Sequence, residues 1–241
     1  PVEVLDPLHL EADLVFCALP HGQSAPIVDQ LRAAGHIVFD LSADFRLRSL
    51  STYEQWYGSH GAKERLAEAV YGLAELHREA IRSADLIAVP GCYPTASILP
   101  LAPLLREGML DTARPIVIDA KSGVSGAGRQ AGERTQYSET AEGLRSYAKT
   151  GRHRHTPEIE QELGLAAGGE VRVLFSPHLV PMIRGILATS YLTPKAADAR
   201  AMTEVARAFY AGSPSVHVLD PGSHPDTLWV RGSNRALLSY G

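Results

Sequence analysis

The sequence predicts an α/β protein in which a partial doubly wound (Rossmann-type) parallel sheet is followed by an α+β domain with a largely antiparallel sheet. Over about the first ninety residues, short apolar runs alternate with helical segments, which is the pattern of βαβ units. Beyond Cys92 the predicted strands are longer and more alternating, with fewer helices between them, as in an antiparallel sheet covered on one face. We therefore expect two domains, residues 1–91 and 92–241.

Composition excludes several classes of protein. The 241 residues are 45% hydrophobic and 21% charged, which is ordinary for a folded globular chain. The net charge is −4, so no basic surface for nucleic acid is expected, and no apolar run approaches the ~20 residues of a membrane span. Two cysteines cannot form a disulfide framework, which favours a reducing compartment and a cytoplasmic protein.

In the first domain, short apolar runs predict strands that are buried on both faces: residues 14–19, 37–41 and 85–90. Helix start and stop signals predict the intervening helices: residues 25–34, 51–57 and 75–83. Gly35 stands where a helix usually ends, and the spacing from Ser51 to Glu54 fits a capping box.

In the second domain, helices are predicted at residues 95–107, 156–163 and 196–210. The predicted strands are residues 116–120, 171–176, 186–193 and 227–230. Thr156 is a suitable helix cap, and Pro157 suits the first helical position that follows it. A glycine-rich stretch extends from the first of these strands to about residue 132.

Cys92 is the first candidate for chemistry, because it stands between a buried strand and a helix. Ligands of open α/β sheets bind at the carboxyl ends of strands, and a helix N-terminus lowers the pKa of a thiol. The alternative is a buried structural cysteine, which is the usual fate of a lone cysteine. For Cys17, inside an apolar run, that alternative is favoured.

His153 and His155 are the candidate proton carriers for a thiolate nucleophile. They lie two residues apart just before a predicted helix. Two histidines could also bind a metal, but no third ligand has a recognisable spacing, so no metal is predicted. A cysteine and a histidine from separate segments fit covalent catalysis in general, and they would fit a cysteine hydrolase equally well.

The segment Lys121–Arg129 (KSGVSGAGR) is the third candidate. Backbone N–H groups in such a loop can hold a phosphate or lie against a cofactor ring. Its spacing is neither that of the dinucleotide fingerprint nor that of a P-loop, and an ordinary surface loop is the alternative.

These motifs together resemble the N-acetyl-γ-glutamyl-phosphate reductase family, which belongs to the aspartate-semialdehyde dehydrogenase fold group. The matching stretches, in family order, are ALPHG (18–22), DLSADFR (40–46), PGCYPTA (90–96), KSGVSGAGR (121–129), HRHTPEI (153–159), PMIRGI (181–186) and GSN (232–234). The resemblance implies a chain without the family's first βα unit, which carries a phosphate-binding loop, and without its C-terminal return segment.

The resemblance also implies an activity. It is the NADPH-dependent reduction of N-acetyl-γ-glutamyl phosphate to the semialdehyde, in arginine biosynthesis, through a thioacyl intermediate on Cys92. His153, or else His155, would be the acid and base. The implied cofactor contacts are Ser122, Gly123, Ser125, Gly126, Pro20, His21 and Ser42. The implied substrate contacts are Arg46, Glu158 and Arg184. A homo-oligomer, dimer or tetramer, is expected.

Three alternatives stay open from the sequence. One is a sibling reductase that acts on a carrier-linked aminoadipyl phosphate in lysine biosynthesis. Another is a cofactor-free cysteine hydrolase or acyltransferase that uses Cys92 and His153. The last is a non-catalytic remnant, because the family's dinucleotide loop is not present in this sequence.

Overall fold

The computed structural model describes residue 6 and residues 10–128, 132–148, 150–196 and 198–241. The chain divides into two compact units, Pro1–Gly91 and Cys92–Gly241. Each unit has its own sheet and its own helices.

The first unit contains a four-stranded sheet in the order β1-β2-β4-β3. The strands are β1 (Leu14–Cys17), β2 (Ile37–Asp40), β3 (Val70–Tyr71) and β4 (Leu86–Ala88). All three pairings are parallel, which confirms the predicted sheet. The two-residue strand β3 is too short to give a sequence pattern and was not predicted.

Three helices accompany this sheet: α1 (Ser24–Ala33), α2 (Leu50–Tyr57) and α3 (Ala74–Arg82). Gly35 has a φ of +91°, the left-handed conformation that ends α1. The cap of α2 is Ser49, whose hydroxyl accepts a hydrogen bond from the Thr52 N–H at 3.2 Å. Val28 and Leu31 of α1 pack against Val38 and Leu86 in the core of the unit.

The second unit begins with α4 (Cys92–Arg106). It then contains β5 (Ile116–Gly123), α5 (Tyr137–Thr140), β6 (Arg145–Ser146), α6 (Thr156–Ala167), β7 (Val173–Val180), β8 (Ile186–Tyr191), α7 (Ala199–Phe209), β9 (Val216–Val218), α8 (Thr227–Val230) and β10 (Ala236–Leu238). Its main sheet has the order β6-β7-β5-β8. The β6–β7 and β5–β8 pairings are antiparallel, as predicted, and the central β5–β7 pairing is parallel. Strands β9 and β10 form a separate parallel pair.

The main sheet of the second unit has one covered face and one open face. Helix α4 packs against β8, and α6 packs against β7. Ile118 and Phe175 on the covered face are fully buried, whereas Leu174 and Tyr191 on the other face are 44% and 60% exposed. The alternation along each strand therefore has the period of two that defines a half-buried sheet.

Two prolines lie inside α4, at positions 100 and 103. Because Pro103 has no N–H, it cannot donate to the Leu99 carbonyl one turn earlier. The Tyr210 hydroxyl supplies that hydrogen bond instead, at 2.7 Å, and the Tyr240 hydroxyl donates to the Pro100 carbonyl at 2.8 Å. Two tyrosines thus satisfy carbonyls in the middle of the helix that begins at Cys92.

The prediction of a strand at residues 227–230 is wrong, because these residues form the short helix α8. The carboxylate of Asp226 accepts the Leu228 N–H at 2.8 Å and so caps a helical turn. Leu228 and Trp229 are exposed, so the apolar run that suggested a buried strand is not buried.

Candidate active site

Cys92 is the first residue of α4, and its side chain is exposed. The first N–H groups of a helix have no partner within the helix and carry a partial positive charge. A thiolate at this position is therefore stabilised, which favours the nucleophilic form of the cysteine. Cys17, by contrast, is buried in β1, where burial raises its pKa.

A cavity of about 540 Å³ opens beside Cys92, within the second unit. Its walls come from the first turns of α4, the start of β8 and the segment 225–239. This volume is in the range of small-molecule sites. The thiol of Cys92 therefore faces a space that can hold a metabolite.

Three arginines line this cavity: Arg184, Arg231 and Arg235. All three are exposed, and within the described part of the chain none of their side chains has an ion pair or a hydrogen bond. Asp226 also lines the cavity, but its carboxylate already accepts the Leu228 N–H. Uncompensated guanidinium groups suit carboxylate and phosphate, so the cavity favours an anionic ligand.

The loop that carries Arg184 is held by the glycine-rich segment. The N–H groups of Gly123, Val124 and Ser125 donate to the carbonyls of Gly185, Met182 and Ile183 at 2.9–3.1 Å. A Cβ on Gly123 would lie 2.8 Å from the Arg184 backbone nitrogen, so only glycine fits there. The buried Gly123 is thus explained by packing between the two loops.

The exposed part of the glycine-rich segment is its 3₁₀ turn, Val124–Ala127. Ser125 and Gly126 are exposed there, whereas Ser122 is buried and donates its hydroxyl to the Gly123 carbonyl at 3.0 Å. Arg129, the last residue of the motif, lies outside the described residues. Of the four cofactor contacts predicted in this segment, Ser125 and Gly126 are thus the two that are accessible.

His153 and His155 lie beside Tyr93, the residue that follows Cys92. The Tyr93 ring meets the two imidazoles edge-on, with centroid distances of 5.6 and 5.9 Å. Burial raises the pKa of Tyr93 to about 12, and its hydroxyl donates to the His178 carbonyl at 3.1 Å. Tyr93 thus follows Cys92 in the chain and contacts both predicted histidines, but neither histidine lines the cavity beside Cys92.

His153 is a partly buried imidazole with a lowered pKa. Burial, and then the charge of Arg154, lower its pKa from 6.5 to about 4, so it is neutral at pH 7. Its Nδ1 accepts the backbone N–H of His155 at 3.1 Å. The Phe175 ring packs on it at a centroid distance of 5.4 Å.

The predicted contacts of the first unit divide into exposed and buried residues. Pro20 and His21 are exposed after β1, and His21 Nδ1 accepts the Ala43 N–H at 2.9 Å. Ser42 is only 1% exposed. Its hydroxyl donates to Asp40 at 2.6 Å and accepts the Asp44 N–H at 3.0 Å, so it is engaged within the protein.

Buried carboxylates fix these loops of the first unit. Asp44 accepts the N–H groups of Gly22 and Ala25 at 2.8 and 3.0 Å and the Tyr53 hydroxyl at 2.8 Å. Asp40 is fully buried, and this burial raises its pKa. The segment that contains Pro20 and His21 is thereby tied to the segment after β2.

The other predicted substrate contacts do not line the cavity. Arg46 is 6% exposed and donates to the Val89 and Leu41 carbonyls at 2.7 and 2.8 Å, which joins the segments after β4 and β2. Glu158 is 1% exposed in the first turn of α6. Arg184 is the one predicted substrate contact on the cavity wall.

Sequence reasoning missed three residues at this site: Tyr93, Arg231 and Arg235. A signal existed for the arginines, since they frame the GSN motif at 232–234 within five residues. For Tyr93 the signal was its place beside Cys92. Only the fold shows that it meets the histidines.

The described residues contain neither a metal-binding cluster nor a membrane-spanning helix. No group of three or more His, Cys, Asp or Glu side chains is arranged to hold a metal ion. No described helix is long and apolar enough to cross a membrane.

Comparison with known proteins gives the same fold and a family. Residues 2–84 match the family described as semialdehyde dehydrogenase, NAD binding domain, and residues 92–240 match the semialdehyde dehydrogenase dimerisation domain. The crystal structure of aspartate semialdehyde dehydrogenase II from Vibrio cholerae has a TM-score of 0.71 at 17% identity, covering 98% of this chain and 70% of that one. Aspartate semialdehyde dehydrogenase with NADP from Candida albicans has a TM-score of 0.58 at 16% identity, covering 92% and 65%.

Close relatives carry a single name. N-acetyl-γ-glutamyl-phosphate reductase of Moorella thermoacetica is 53% identical over 241 residues, which cover 99% of this chain and 68% of that protein. The reductase of Desulforudis audaxviator is 52% identical and covers 95% and 66%. The chain thus spans about two thirds of the length of these relatives.

The fold and the two matched domains are those of the semialdehyde dehydrogenase class, with an NAD-binding part followed by a dimerisation part. Within this class, the chain belongs to the N-acetyl-γ-glutamyl-phosphate reductase family. The resemblance drawn from the motifs is thereby confirmed.

Proposed function

We propose that this chain catalyses the NADPH-dependent reduction of N-acetyl-γ-glutamyl phosphate to N-acetyl-glutamate semialdehyde and phosphate, a step of arginine biosynthesis. The observation that carries the proposal is an exposed cysteine at a helix N-terminus that shares a cavity with three uncompensated arginines. The substrate carries a carboxylate and a phosphoryl group, both of which guanidinium groups bind. The names of the close relatives support the same reaction.

The first half of the reaction needs only the second unit's own residues. The Cys92 thiolate attacks the acyl carbon, a C–S bond forms, and the C–O bond to phosphate breaks. The phosphate leaves and takes its proton from solvent. Arg184, Arg231 and Arg235 hold the substrate's anionic groups in the cavity while this occurs.

The second half needs the cofactor, and the exposed residues fit it. Ser125 and Gly126 present an open backbone turn, and Pro20 and His21 are open after β1. His21 Nδ1 accepts the Ala43 N–H, so a neutral His21 ring carries its proton on Nε2. When bound, NADPH supplies a hydride to the thioester carbon. Residues 1–91 would act as a partial cofactor domain and residues 92–241 as the catalytic and oligomerisation domain.

The thiol chemistry suits a reducing compartment, and we place the protein in the cytoplasm. Both cysteines, Cys17 and Cys92, are free thiols. Cys92 is exposed, and an exposed thiolate is prone to oxidation. A reducing environment keeps it available as the nucleophile.

The acyl transfer can be tested without the cofactor. The protein is mixed with N-acetyl-γ-glutamyl phosphate, and the intact mass and the modified peptide are measured, with Cys92→Ser as the control. We expect one acyl group on Cys92 and none on the variant. Absence of an adduct in a folded sample would contradict the proposal. Rapid loss of the adduct without NADPH would indicate a hydrolase instead.

The homo-oligomer that the dimerisation domain implies also has a candidate surface. The open face of the main sheet presents Leu174, Leu187 and Tyr191, all exposed. On the same face, Asp119 pairs with Lys121 at 2.6 Å and lies 3.0 Å from His178 Nδ1. Apolar side chains around a small charged cluster are typical of an interface between subunits, so we assign this face to contact with a second copy of the chain.

A further inference from the structure

The cavity beside Cys92 meets the edges of two strands as well as the face of a helix. Its lining includes the consecutive residues 184–188, which lead into β8, and 235–239, which contain β10. Side chains alternate between the two faces of a strand, so consecutive residues line one cavity only where it meets the edge of the strand. The cavity therefore reaches the edges of both β8 and β10.

The outer edge of β8, the last strand of the main sheet, carries backbone groups without partners. The Gly123 N–H donates to the carbonyl of Gly185, which continues the β5–β8 register, so these two residues form a hydrogen-bonded antiparallel pair. Such pairs alternate along the ladder, so the N–H and carbonyl groups of Ile186 and Ala188 point away from β5. Within the described residues, these groups have no hydrogen-bond partner on that side.

The outer edge of β10 is open in the same way. The Ala236 N–H donates to the Ser215 carbonyl at 2.8 Å. The Leu238 carbonyl accepts the Leu219 N–H, also at 2.8 Å, so both residues bond to the β9 side. The backbone groups of Leu237, between them, therefore point to the other edge, where the described part of the chain offers no partner.

Neither edge has the features that usually protect an exposed strand. Edge strands are commonly kept from pairing by charged side chains, prolines, bulges or short length. Strand β8 has six residues (ILATSY) without a charge or a proline, and β10 (ALL) is wholly apolar. At the opposite edge of the main sheet, β6 has two residues, one of which is Arg145. The contrast indicates that β8 and β10 pair with a further strand.

We propose that an extended polypeptide segment from outside these 241 residues inserts between β8 and β10 and pairs with both edges. It joins the two sheets into one, in the order β6-β7-β5-β8, inserted strand, β10-β9. A single strand pairs with Ile186, Ala188 and Leu237 together, whereas a second copy that pairs at β8 would leave Leu237 open. The relatives have length for such a segment, since this chain covers 68% of the Moorella thermoacetica reductase.

The cavity walls define the chemistry of this segment. Helix α4 contributes Ala96, Leu99 and Pro100 to the lining, so the side chains of the inserted strand that face α4 are apolar. Backbone hydrogen bonds to the two edges supply the affinity, as in other cases of strand addition. No step involves the Cys92 thiol, so the inference does not rest on the proposed function.

Amide hydrogen exchange can detect the inserted strand. The probes are overlapping synthetic peptides of about 12 residues, longer than a typical strand, that cover the part of the Moorella thermoacetica reductase outside the matched stretch. We expect neighbouring peptides of this set to slow exchange at Ile186, Ala188 and Leu237 about tenfold or more. Leu187 and Ala236 are the internal controls, because their N–H groups already bond to β5 and β9, and they should exchange slowly with and without peptide.

A pair of variants separates backbone pairing from the burial of apolar side chains. Ala188→Pro removes an N–H that points to the cavity, and proline is tolerated where the N–H lies on a free edge. We expect it to weaken binding of the active peptide about tenfold or more, whereas Ala188→Ser, which keeps the N–H, binds it as the wild type does.

Three outcomes would overturn the inference. One is a peptide set that slows exchange at neither edge, or at only one of them. Another is equal peptide binding by two folded variants, because the affinity would then come from side chains alone. The third is protection of Ile186 and Ala188 in the free chain that is lost on dilution, because that would assign the β8 edge to a second copy.

Discussion

At the scale of single residues, the candidate site depends on charges that lack partners in the protein. Arg231 and Arg235 lie on either side of the GSN motif and reach the cavity that Cys92 lines. An exposed arginine is ordinarily a solvated surface side chain without a binding role. Because they line the same cavity as Arg184 and Cys92, we propose that they bind the substrate.

Neutralising either arginine should weaken substrate binding. We expect Arg231→Gln and Arg235→Gln each to lower kcat/KM for acylation of Cys92 about 10–100-fold, because a hydrogen bond between charged groups contributes ~1.5–3 kcal/mol. The measurement is the rate of phosphate release against substrate concentration. Arg200→Gln is the matched control, because Arg200 pairs with Glu204 on the exposed side of α7. A loss as large in the control would contradict the assignment.

His153 should also make stability depend on pH in a defined direction. Its pKa is about 4 in the folded protein and near 6.5 when unfolded, so both states are neutral above pH 6.5 and it contributes nothing there. Between about pH 6.5 and 4, His153 is protonated in the unfolded chain but remains neutral in the folded protein. The free energy of unfolding therefore falls with falling pH, by at most ~1.4 kcal/mol per pH unit.

Urea unfolding of wild type and His153→Leu, measured from pH 7 to pH 4, isolates this contribution. The difference between their unfolding free energies should shift in favour of the Leu variant as the pH falls. Asp40 has a raised pKa, so it increases the free energy of unfolding as the pH falls. Because Asp40 is present in both proteins, this contribution cancels in the difference between wild type and His153→Leu. A difference that does not change with pH would show that His153 titrates normally.

At the scale of elements, helix α4 positions Cys92. Hydrogen bonds from the Tyr210 and Tyr240 hydroxyls to carbonyls of α4 stabilise this helix. Tyr210→Phe removes the donor to the Leu99 carbonyl, which Pro103 leaves without an intrahelical partner. We expect a loss of ~1–2 kcal/mol in the free energy of unfolding, because a buried carbonyl loses its hydrogen bond. Urea denaturation gives the value.

A double-mutant cycle provides the control for this tyrosine. Pro103→Ala restores an N–H that can reach the Leu99 carbonyl, so Tyr210→Phe should cost less in that background. If the cost is the same in both backgrounds, the tyrosine stabilises α4 by packing alone and the hydrogen-bond account fails.

The elements also show how far sequence patterns could predict this fold. The predicted helices 25–34 and 75–83 match α1 and α3 to within a residue at each end, because caps and periodicity act locally. Strands of two or three residues, such as β3 and β10, were not predicted, since they depend on a neighbouring strand rather than on a pattern. Residues 227–230 look apolar enough for a strand, but one capping aspartate makes them a helix.

The candidate site also contains residues that sequence patterns predict and residues that they do not. Cys92, the histidine pair and Arg184 could be predicted as candidates because they stand in motifs of fixed order. Arg231 and Arg235 flank the GSN motif, but their place beside Cys92 depends on folding, because the cavity is formed by residues far apart in sequence. The backbone N–H of His155 donates to His153 Nδ1, and neither the composition nor the spacing of the sequence reveals this hydrogen bond.

At the scale of the whole molecule, the open face of the main sheet is the surface that we propose for contact between subunits. Leu174 and Tyr191 lie on it with 44% and 60% of their surfaces exposed, and Asp119, Lys121 and His178 form a charged cluster among the apolar side chains. A sheet face of this kind gains free energy when a second copy covers it, since burial contributes ~25 cal/mol per Å² of apolar surface. We therefore expect a homo-oligomer that assembles through this face.

Charge placed on this face should separate the subunits. Tyr191→Lys and Leu174→Lys each bring an ammonium group into the contact, where it would lose its hydration without gaining a partner. Sedimentation velocity should show the oligomer for wild type and a monomer for these variants at micromolar concentration. Leu165→Lys is the matched control, because Leu165 is similarly exposed but lies on α6. If Leu165→Lys dissociates the oligomer and the sheet-face variants do not, the interface lies elsewhere.

Because Tyr93 of the site donates to the backbone of His178 on this sheet, the separated subunits also show whether assembly is needed for acylation of Cys92.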